Sequence, residues 1–441
     1  MLNRLSLSFL RILGIRKTTN PSRKIVLSFA FIILSGALLL MLPVSAKAGI
    51  VTPFVTALFT ATSATCVTGL VLVDTGAYYS TFGQIIILLL IQIGGLGFAT
   101  ILTIAFLASK KNIGMRNRML VAQTLGLESS SGVVRTARHV LVATAFFELT
   151  GAVLLWIRFI PEYGIKGIWY GIFHSISAFS NTGVDLFGAH GIRVFVNDFY
   201  VQTVLIFLMI VGSFGVFAIE DIKNAKRFSK FKLQTKIIIV GTIVMLIVPT
   251  ILFKLLEPDL SIINGLFITS ARSTGFGLVD VSSFSSASQV LLMIIMFIGC
   301  SPASTGGGVK LISIAVIVAT IISTLKGKEE TIIFWRKISN FTVRMAFTIF
   351  TLFAFAIFIA MIVFMNHNNI GIEKILFDCI SAISNTGFSL ADPSELNSVG
   401  SSILIVLMYI GRIGPLSLVL AFVHKDNRQK FVEYPEEKVI L

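Results

Sequence analysis

Four stretches of one chain, Ser63-Ala64-Thr65-Cys66-Val67-Thr68-Gly69, Ser177-Ala178-Phe179-Ser180-Asn181-Thr182-Gly183, Ser270-Ala271-Arg272-Ser273-Thr274-Gly275 and Ser381-Ala382-Ile383-Ser384-Asn385-Thr386-Gly387, share a Ser-Ala start and a Thr-Gly end. The third is one residue shorter between those marks. A lone Asn-Thr-Gly is ordinary turn chemistry, but four copies spread through 441 residues are an internal repeat. Each copy lies in a half-polar stretch, within 52–74, 168–190, 261–284 and 371–394, that opens with a moderately apolar segment of roughly 10 to 14 residues. Such a segment is too short to cross a bilayer and suits a re-entrant helix enclosed by protein.

Long apolar runs flank these stretches at 25–44, 82–108, 138–160, 200–221, 235–256, 289–325, 342–365 and 401–423. A helix crosses the hydrocarbon layer with about 20 such residues. Composition agrees: 55% hydrophobic and 13% charged residues with a mean hydropathy of +0.91 exclude a water-soluble globule, in which about 25% of residues are charged. The predicted fold is an all-α polytopic membrane protein. Four pseudo-symmetric units, each a spanning helix, a re-entrant pore helix and a second spanning helix, surround a central pore, giving 8 transmembrane and 4 re-entrant helices. The predicted boundaries are 1–24 for the N-terminal segment, 25–108, 137–221, 233–326 and 340–424 for the units, and 425–441 for the tail.

The net charge of +15 is a topology signal rather than a nucleic-acid one, because the basic residues lie between the apolar runs. Residues 1–24, 109–138 and 222–236 hold 6 Lys+Arg each, 326–344 hold 5 and 425–441 hold 4, whereas the alternate loops hold only Lys47, Arg158, Lys166, Arg193, Lys254 and Lys374. Both termini are therefore expected in the cytoplasm, with the short helices dipping in from outside. Ala46-Lys47-Ala48 imitates a signal-peptide cleavage site, but the run before it is too long for a typical signal core, and its loss would break the repeat.

A glycine-capped helix end explains each Thr-Gly turn locally. It does not explain why four turns lie at membrane depth, where non-helical backbone is tolerated only if enclosed by protein or lining a watery path. Gathered around an axis, the turns would present backbone carbonyls that replace a cation's hydration shell, with glycine permitting the approach. The helix C-termini would add about −0.5 charge each. Asp74, Asp280 and Asp392 each follow the glycine by five residues, and Asp185 follows Gly183 by two. The outer aspartates either concentrate cations at the mouth or serve as loop caps and partners of Arg272.

Arg272, Lys310 and Arg412 fall inside membrane-buried stretches and count as functional candidates. Residues 289–325 are interrupted by Gly299-Cys300-Ser301-Pro302-Ala303-Ser304-Thr305-Gly306-Gly307-Gly308-Val309-Lys310, which cannot sustain an ordinary helix. The segment reads as a movable barrier beneath the turns or as a kink that accommodates a neighbour; it lacks the Gly-Lys-Ser/Thr order of a phosphate-binding loop. Arg412 at mid-span costs roughly 2.5 kcal/mol or more unless it faces protein or water. It either holds the barrier's carbonyls beside the pore or pairs with a buried acid. Lys310 belongs to the barrier or reaches to the cytoplasm. Gly94-Gly95-Leu96-Gly97 reads as a close helix contact, His174 as a packed polar residue, and the scattered histidines and Cys66, Cys300 and Cys379 suggest neither metal nor redox chemistry. No protease, hydrolase or nucleotide-binding motif points to an enzyme.

These residues resemble the Trk/Ktr/HKT superfamily of potassium transporters across essentially the whole chain, most closely the membrane subunit of Ktr systems. The resemblance implies a K+ selectivity filter at Val67, Thr68, Gly69, Asn181, Thr182, Gly183, Ser273, Thr274, Gly275, Asn385, Thr386 and Gly387. It also implies a gating loop from Gly299 to Gly308 with Lys310, and a barrier at Arg412. In that superfamily four filter glycines accompany potassium selectivity and a serine at the first accompanies sodium transport, so Gly69 argues for potassium. The implied assembly is a homodimer in a bacterial plasma membrane, seated on a cytosolic ring of RCK/KTN-type regulatory subunits like those of Ktr systems. Nucleotide would be held only by that partner. Sodium coupling, as in a symporter, and a sodium-conducting relative remain the alternatives.

Overall fold

The computed structural model describes residues 21–97, 133–302, 304–367, 370–392 and 395–414. Its chain order is α1 (Pro21–Leu40), α2 (Phe54–Cys66), the single turn α3 (Thr75–Tyr78), α4 (Thr81–Leu96), α5 (Val133–Tyr163), α6 (Lys166–Phe179), α7 (Phe199–Phe214) and α8 (Val216–Ala225). Then come α9 (Leu233–Leu256), α10 (Ile262–Ala271), α11 (Ser286–Phe297), α12 (Leu311–Leu325), a two-residue hairpin of β1 (Ile332–Ile333) and β2 (Arg336–Lys337), α13 (Asn340–His367), α14 (Ile372–Ser384) and α15 (Ser398–Ile413). By length and composition, α1, α5, α9 and α13 are each able to cross a membrane. Their outer faces are apolar: Phe355, Phe358 and Ile362 on α13 are 61%, 63% and 57% exposed, a surface suited to hydrocarbon rather than water.

The short helices α2, α6, α10 and α14 each precede a Thr-Gly turn. After each turn the chain reverses into α4, α7, α11 or α15, and the start of every one is fixed by a side-chain cap. Ser80, Asp198, Ser285 and Asn397 accept from the N–H groups of Gly83, Val201, Ser288 and Gly400 at 3.3, 3.1, 3.3 and 2.8 Å. Helix α4 packs on α6, α7 on α10, α11 on α14 and α15 on α2. The last contact joins the end of the described chain to its beginning, so the four sets of helices follow one another in a closed cycle.

Close backbone approach sets the depth of these contacts. A Cβ placed on Gly94, Gly212 or Gly411 would lie 2.0, 1.9 or 1.9 Å from the carbonyl oxygen of Thr65, Phe179 or Ile383. Each of those carbonyls belongs to the fourth residue before the Thr-Gly glycine, so α4, α7 and α15 touch their short helices at one shared level. Three residues later Gly97, Gly215 and Gly414, at φ 78°, 85° and 83°, end the same helices. The expected span 200–221 is therefore not one helix: α7 stops at Phe214 and the chain turns through 90°. The spans expected at 82–108 and 401–423 likewise stop at Leu96 and Ile413, and their remainders lie outside the described residues. The fourth break is the one that proline and glycine predicted, with α11 ending at Phe297 and α12 starting at Leu311. Most of the expected N-terminal segment 1–24 and all of the tail 425–441 fall outside the described residues.

A methyl group on Gly411 has nowhere to go, whereas one on Gly371 meets nothing within 4 Å. Gly411→Ala is expected to destabilise the protein by roughly 1–3 kcal/mol and Gly371→Ala to leave it unchanged, as read from melting in detergent followed by size-exclusion chromatography.

Candidate cation-conduction site

Three of the four turns share one hydrogen-bond pattern. The N–H groups of Thr68, Thr182 and Thr386 reach back to the carbonyls of Ser63, Ser177 and Ser381 at 2.8, 2.9 and 2.9 Å, and Val67, Asn181 and Asn385 occupy the left-handed region at φ 59°, 56° and 52°. This is the reversal that caps a helix end. The third turn lacks one residue and closes differently, with the N–H groups of Thr274 and Gly275 both directed to Ala271. Gly69 and Gly387 donate to the Ser63 and Ser381 hydroxyls, 3.0 Å each. The capping chemistry is thus real, and it leaves the threonine carbonyls free of intrahelical partners.

Those carbonyls form a ring. A Cβ on Gly69 would stand 2.0 Å from the Thr182 oxygen, on Gly183 1.9 Å from Thr274, on Gly275 2.3 Å from Thr386, and on Gly387 2.3 Å from Thr68. Every glycine lies against the threonine carbonyl of the following turn, and the fourth returns to the first. With φ between 75° and 108° the glycines also hold a conformation that side chains resist. Thr68, Thr182, Thr274 and Thr386 are fully buried. The structure therefore brings together all twelve turn residues singled out in the sequence. Among the described residues no cluster of His, Cys, Asp or Glu could hold a metal ion, so cation binding at this place would rest on peptide oxygens.

On one side of the ring a cavity of about 330 Å³ is lined by Gly69, Gly183, Gly275 and Gly387 together with Asp74, Asp185 and Arg193. Asp74 and Asp280 have partners other than Arg272. Asp74 caps α3 through the Ala77 N–H at 2.9 Å, and Asp280 meets Arg193 at 3.3 Å, while Arg272 is buried and donates to the Ile298 carbonyl at 2.5 Å. The Asp392 backbone carbonyl accepts from the Glu395 N–H at 2.9 Å. Asp185, which breaks the five-residue spacing, lines the cavity with Asp74, and desolvation by the surrounding protein raises its carboxyl from 3.8 to about 6.

On the other side lies the segment from Gly299 to Lys310, of which Ala303 is outside the described residues. Cys300, Ser301, Thr305, Gly306, Gly307 and Gly308 are buried, with Pro302, Ser304 and Lys310 half-buried. Its ends pair through Gly299 N–H to Val309 O at 2.9 Å. The segment is tied to the turns: Asn181 donates to the Thr305 hydroxyl at 2.9 Å, and that hydroxyl contacts the Phe179 and Gly212 carbonyls at 3.1 Å each. Lys310 donates to the Gly306 carbonyl at 2.8 Å. Among the described residues Arg412 pairs with no acid. Its guanidinium donates to the carbonyls of Thr305 and Gly94, and to Gly95 at 3.3 Å, so it bridges the loop to α4.

Two residues were not singled out for what they do. His174 Nε2 accepts from the Leu186 N–H at 3.3 Å while Nδ1 meets the Tyr170 carbonyl at 2.7 Å. Asp378, fully buried, accepts from the Leu390 N–H at 2.9 Å and the Ser389 hydroxyl at 2.8 Å. Both lie nine residues before their turn glycine and both anchor the residue three after it. Extending the repeat alignment backward along the short helices would have paired them. A third, Glu148 on α5, is a buried acid bonded to Gln92 at 2.6 Å, visible in the sequence as the lone acid within its apolar run.

The chain matches the TrkH family, described as cation transport protein, over residues 14–236 and again over 233–434, and it belongs to that family. It is 34% identical over 432 residues to the Ktr system potassium uptake protein B of Bacillus subtilis, covering 95% of this chain and 96% of the relative. It is also 34% identical to the potassium/sodium uptake protein NtpJ of Enterococcus hirae, covering 97% and 98%. The crystal structure of the potassium transporter TrkH from Vibrio parahaemolyticus superposes with a TM-score of 0.75 at 18% identity, over 92% of this chain and 86% of that one. Together these identify an all-α membrane protein of a cation-transport family, with bacterial relatives.

Because the folded chain holds the Asp185 proton up to about pH 6 and the unfolded chain loses it near 3.8, this residue's contribution to stability falls as pH rises through that window and stays low above it. Asp185→Asn is expected to stabilise the protein at pH 7.5 by roughly 1–2 kcal/mol and to have no effect at pH 3.5, as read from thermal melts across pH.

Proposed function

We propose that this TrkH-family chain is the ion-conducting membrane subunit of a potassium uptake system, passing dehydrated K+ through the ring of Thr68, Thr182, Thr274 and Thr386 carbonyls. The observation that carries the reading is the closed cycle of glycine–carbonyl contacts, which needs all four turns at one depth and leaves peptide oxygens as the ligands. The names of the Bacillus subtilis and Enterococcus hirae relatives point to the same ion. In this reading the chain holds four repeats, 25–108, 137–221, 233–326 and 340–424, with 8 transmembrane and 4 re-entrant helices. Both termini face the cytoplasm, the cavity bearing Asp74 and Asp185 faces outward, and the N-terminal segment 1–24 and tail 425–441 lie inside the cell.

Residues Gly299 to Lys310 act as the gate. Their ties to Asn181 and Gly212 of the second set and to Arg412 of the fourth join the loop's own third set to two others, so the loop blocks the path while those bonds hold and glycine lets it withdraw. Arg412 adds a positive charge below the ring, an electrostatic barrier to cations. Movement of ions is driven by gradients and membrane potential, about 2.3 kcal/mol per charge for each 100 mV. The chain works as a homodimer in the bacterial plasma membrane on a cytosolic nucleotide-binding ring, docked through the basic loops at 110–138 and 223–236. The relative named for both potassium and sodium favours one second reading, in which Na+ is a coupled or alternative substrate.

Flux into liposomes with K+ or Na+ as sole cation, with and without a cytosolic regulatory ring, tests this directly. The expected result is faster K+ entry; Na+ preference, or entry of an uncharged solute, would refute the assignment. Arg412→Gln, which keeps the stem but loses the charge and part of the donor fork, is expected to raise K+ flux severalfold without loss of folded protein. Removing residues 303–308 is expected to raise it further, and unchanged flux in that deletion would dismiss the loop as a gate.

A further inference from the structure

The four joints of the carbonyl ring are not alike. Between the second and third turns, Asn181 Oδ1 accepts from the hydroxyls of Thr274 at 2.8 Å and Ser273 at 3.1 Å. Between the third and fourth, the Thr386 hydroxyl donates to the Arg272 carbonyl at 3.1 Å. Between the fourth and first, Asn385 Nδ2 donates to the Thr68 hydroxyl at 2.9 Å. In two of these joints the residue two before the glycine is an asparagine that reaches the next turn's threonine. The first turn carries Val67 there, which has no polar atom to offer, and the Thr182 hydroxyl it should meet is buried with no protein partner. Val67 is also a β-branched residue held at φ 59°, a conformation that asparagine tolerates and valine resists.

We infer that Val67 is a specificity-determining residue: it leaves the joint between the first and second turns open, making that side of the ring the compliant one and setting how well the ring discriminates K+ from a smaller cation. A ring tied at every joint resists contraction around Na+, whereas one open joint lets two carbonyls follow a smaller ion inward. The strain at Val67 marks a position where the local backbone preference is overridden by the surrounding structure, as found where conformation serves function. The inference rests on the reading of this ring as the ion path.

The test is Val67→Asn in the full-length protein, with Val67→Ala as a variant that shortens the side chain without supplying a hydrogen bond. Val67→Asn is expected to raise the melting temperature and to increase the K+:Na+ flux ratio in liposomes by about fivefold, the factor that one net hydrogen bond represents. Val67→Ala is expected to leave the ratio at the wild-type value. The converse change, Asn385→Val, opens a second joint and should lower the ratio in protein that still elutes as a folded species. A wild-type protein that carries no K+ would sink the functional reading itself. A wild-type protein that prefers K+, with a ratio unmoved by Val67→Asn, would sink only the inference about Val67.

Discussion

Peptide groups that leave a helix at membrane depth must find partners inside the protein, and this one requirement organises the molecule. An unsatisfied N–H or C=O in hydrocarbon costs several kcal/mol. Four turns placed side by side meet the requirement collectively, because N–H groups of the turns fold back onto their own helix ends and each threonine carbonyl lies against the glycine of a neighbouring turn. That arrangement demands backbone-to-backbone contact, and glycine is the residue that allows it. Gly69, Gly183, Gly275 and Gly387 admit the neighbouring carbonyl, while Gly94, Gly212 and Gly411 admit the short helix from the side. Ring and scaffold are thus two consequences of one packing rule.

The turns, the short helices before them and the break at 299–310 were legible in the sequence because each depends on residue types with a strong local signature. Thr-Gly after a short apolar run announces a helix end, and proline beside a glycine triplet announces a break. The breaks after Phe214, Leu96 and Ile413 were not seen, although the sequence carries them as Gly212-x-x-Gly215, Gly94-x-x-Gly97 and Gly411-x-x-Gly414. Hydropathy is blind there, since Gly215-Val216-Phe217-Ala218 is as apolar as the helix before it. The pair also starts 25, 29 and 24 residues after the turn glycine in the first, second and fourth sets, so the spacing alone does not bring it into register. Partners chosen by three-dimensional proximity were beyond any such alignment: nothing in the order of residues links Arg412 to the Thr305 and Gly94 carbonyls rather than to an acid.

The four sets depart from equivalence at the residues the proposed function uses. A ring of identical turns would be a symmetric binding site with no means of control. Here the third set lengthens its break into a loop whose threonine hydroxyl enters the second set's helix interface, and the fourth places Arg412 after Gly411 where the first and second have Gly95 and Ser213 after Gly94 and Gly212. The anchors behind the turns differ as well, a histidine ring nitrogen holding Leu186 and a carboxylate holding Leu390. Equivalent positions thus keep the hydrogen bond while changing the group that makes it, which preserves geometry and frees the chemistry to vary from one quarter to the next.

Arg412 shows how such asymmetry becomes a coupling. Its donors close on carbonyls of α4 and of the loop, while α15, which carries it, packs on α2. If the loop is the gate proposed above, its movement takes the Thr305 carbonyl from the Arg412 guanidinium and leaves the Gly94 and Gly95 carbonyls of α4 in place, so water must replace one acceptor of a charged group. The same bonds lie immediately below Gly94 and Gly411, the tightest contacts between these helices and the short helices. A shift of α4 or α15 is thus resisted by the glycine contacts, and in the gating reading proposed above the motion that remains is withdrawal of the loop itself, which carries Gly306, Gly307 and Gly308.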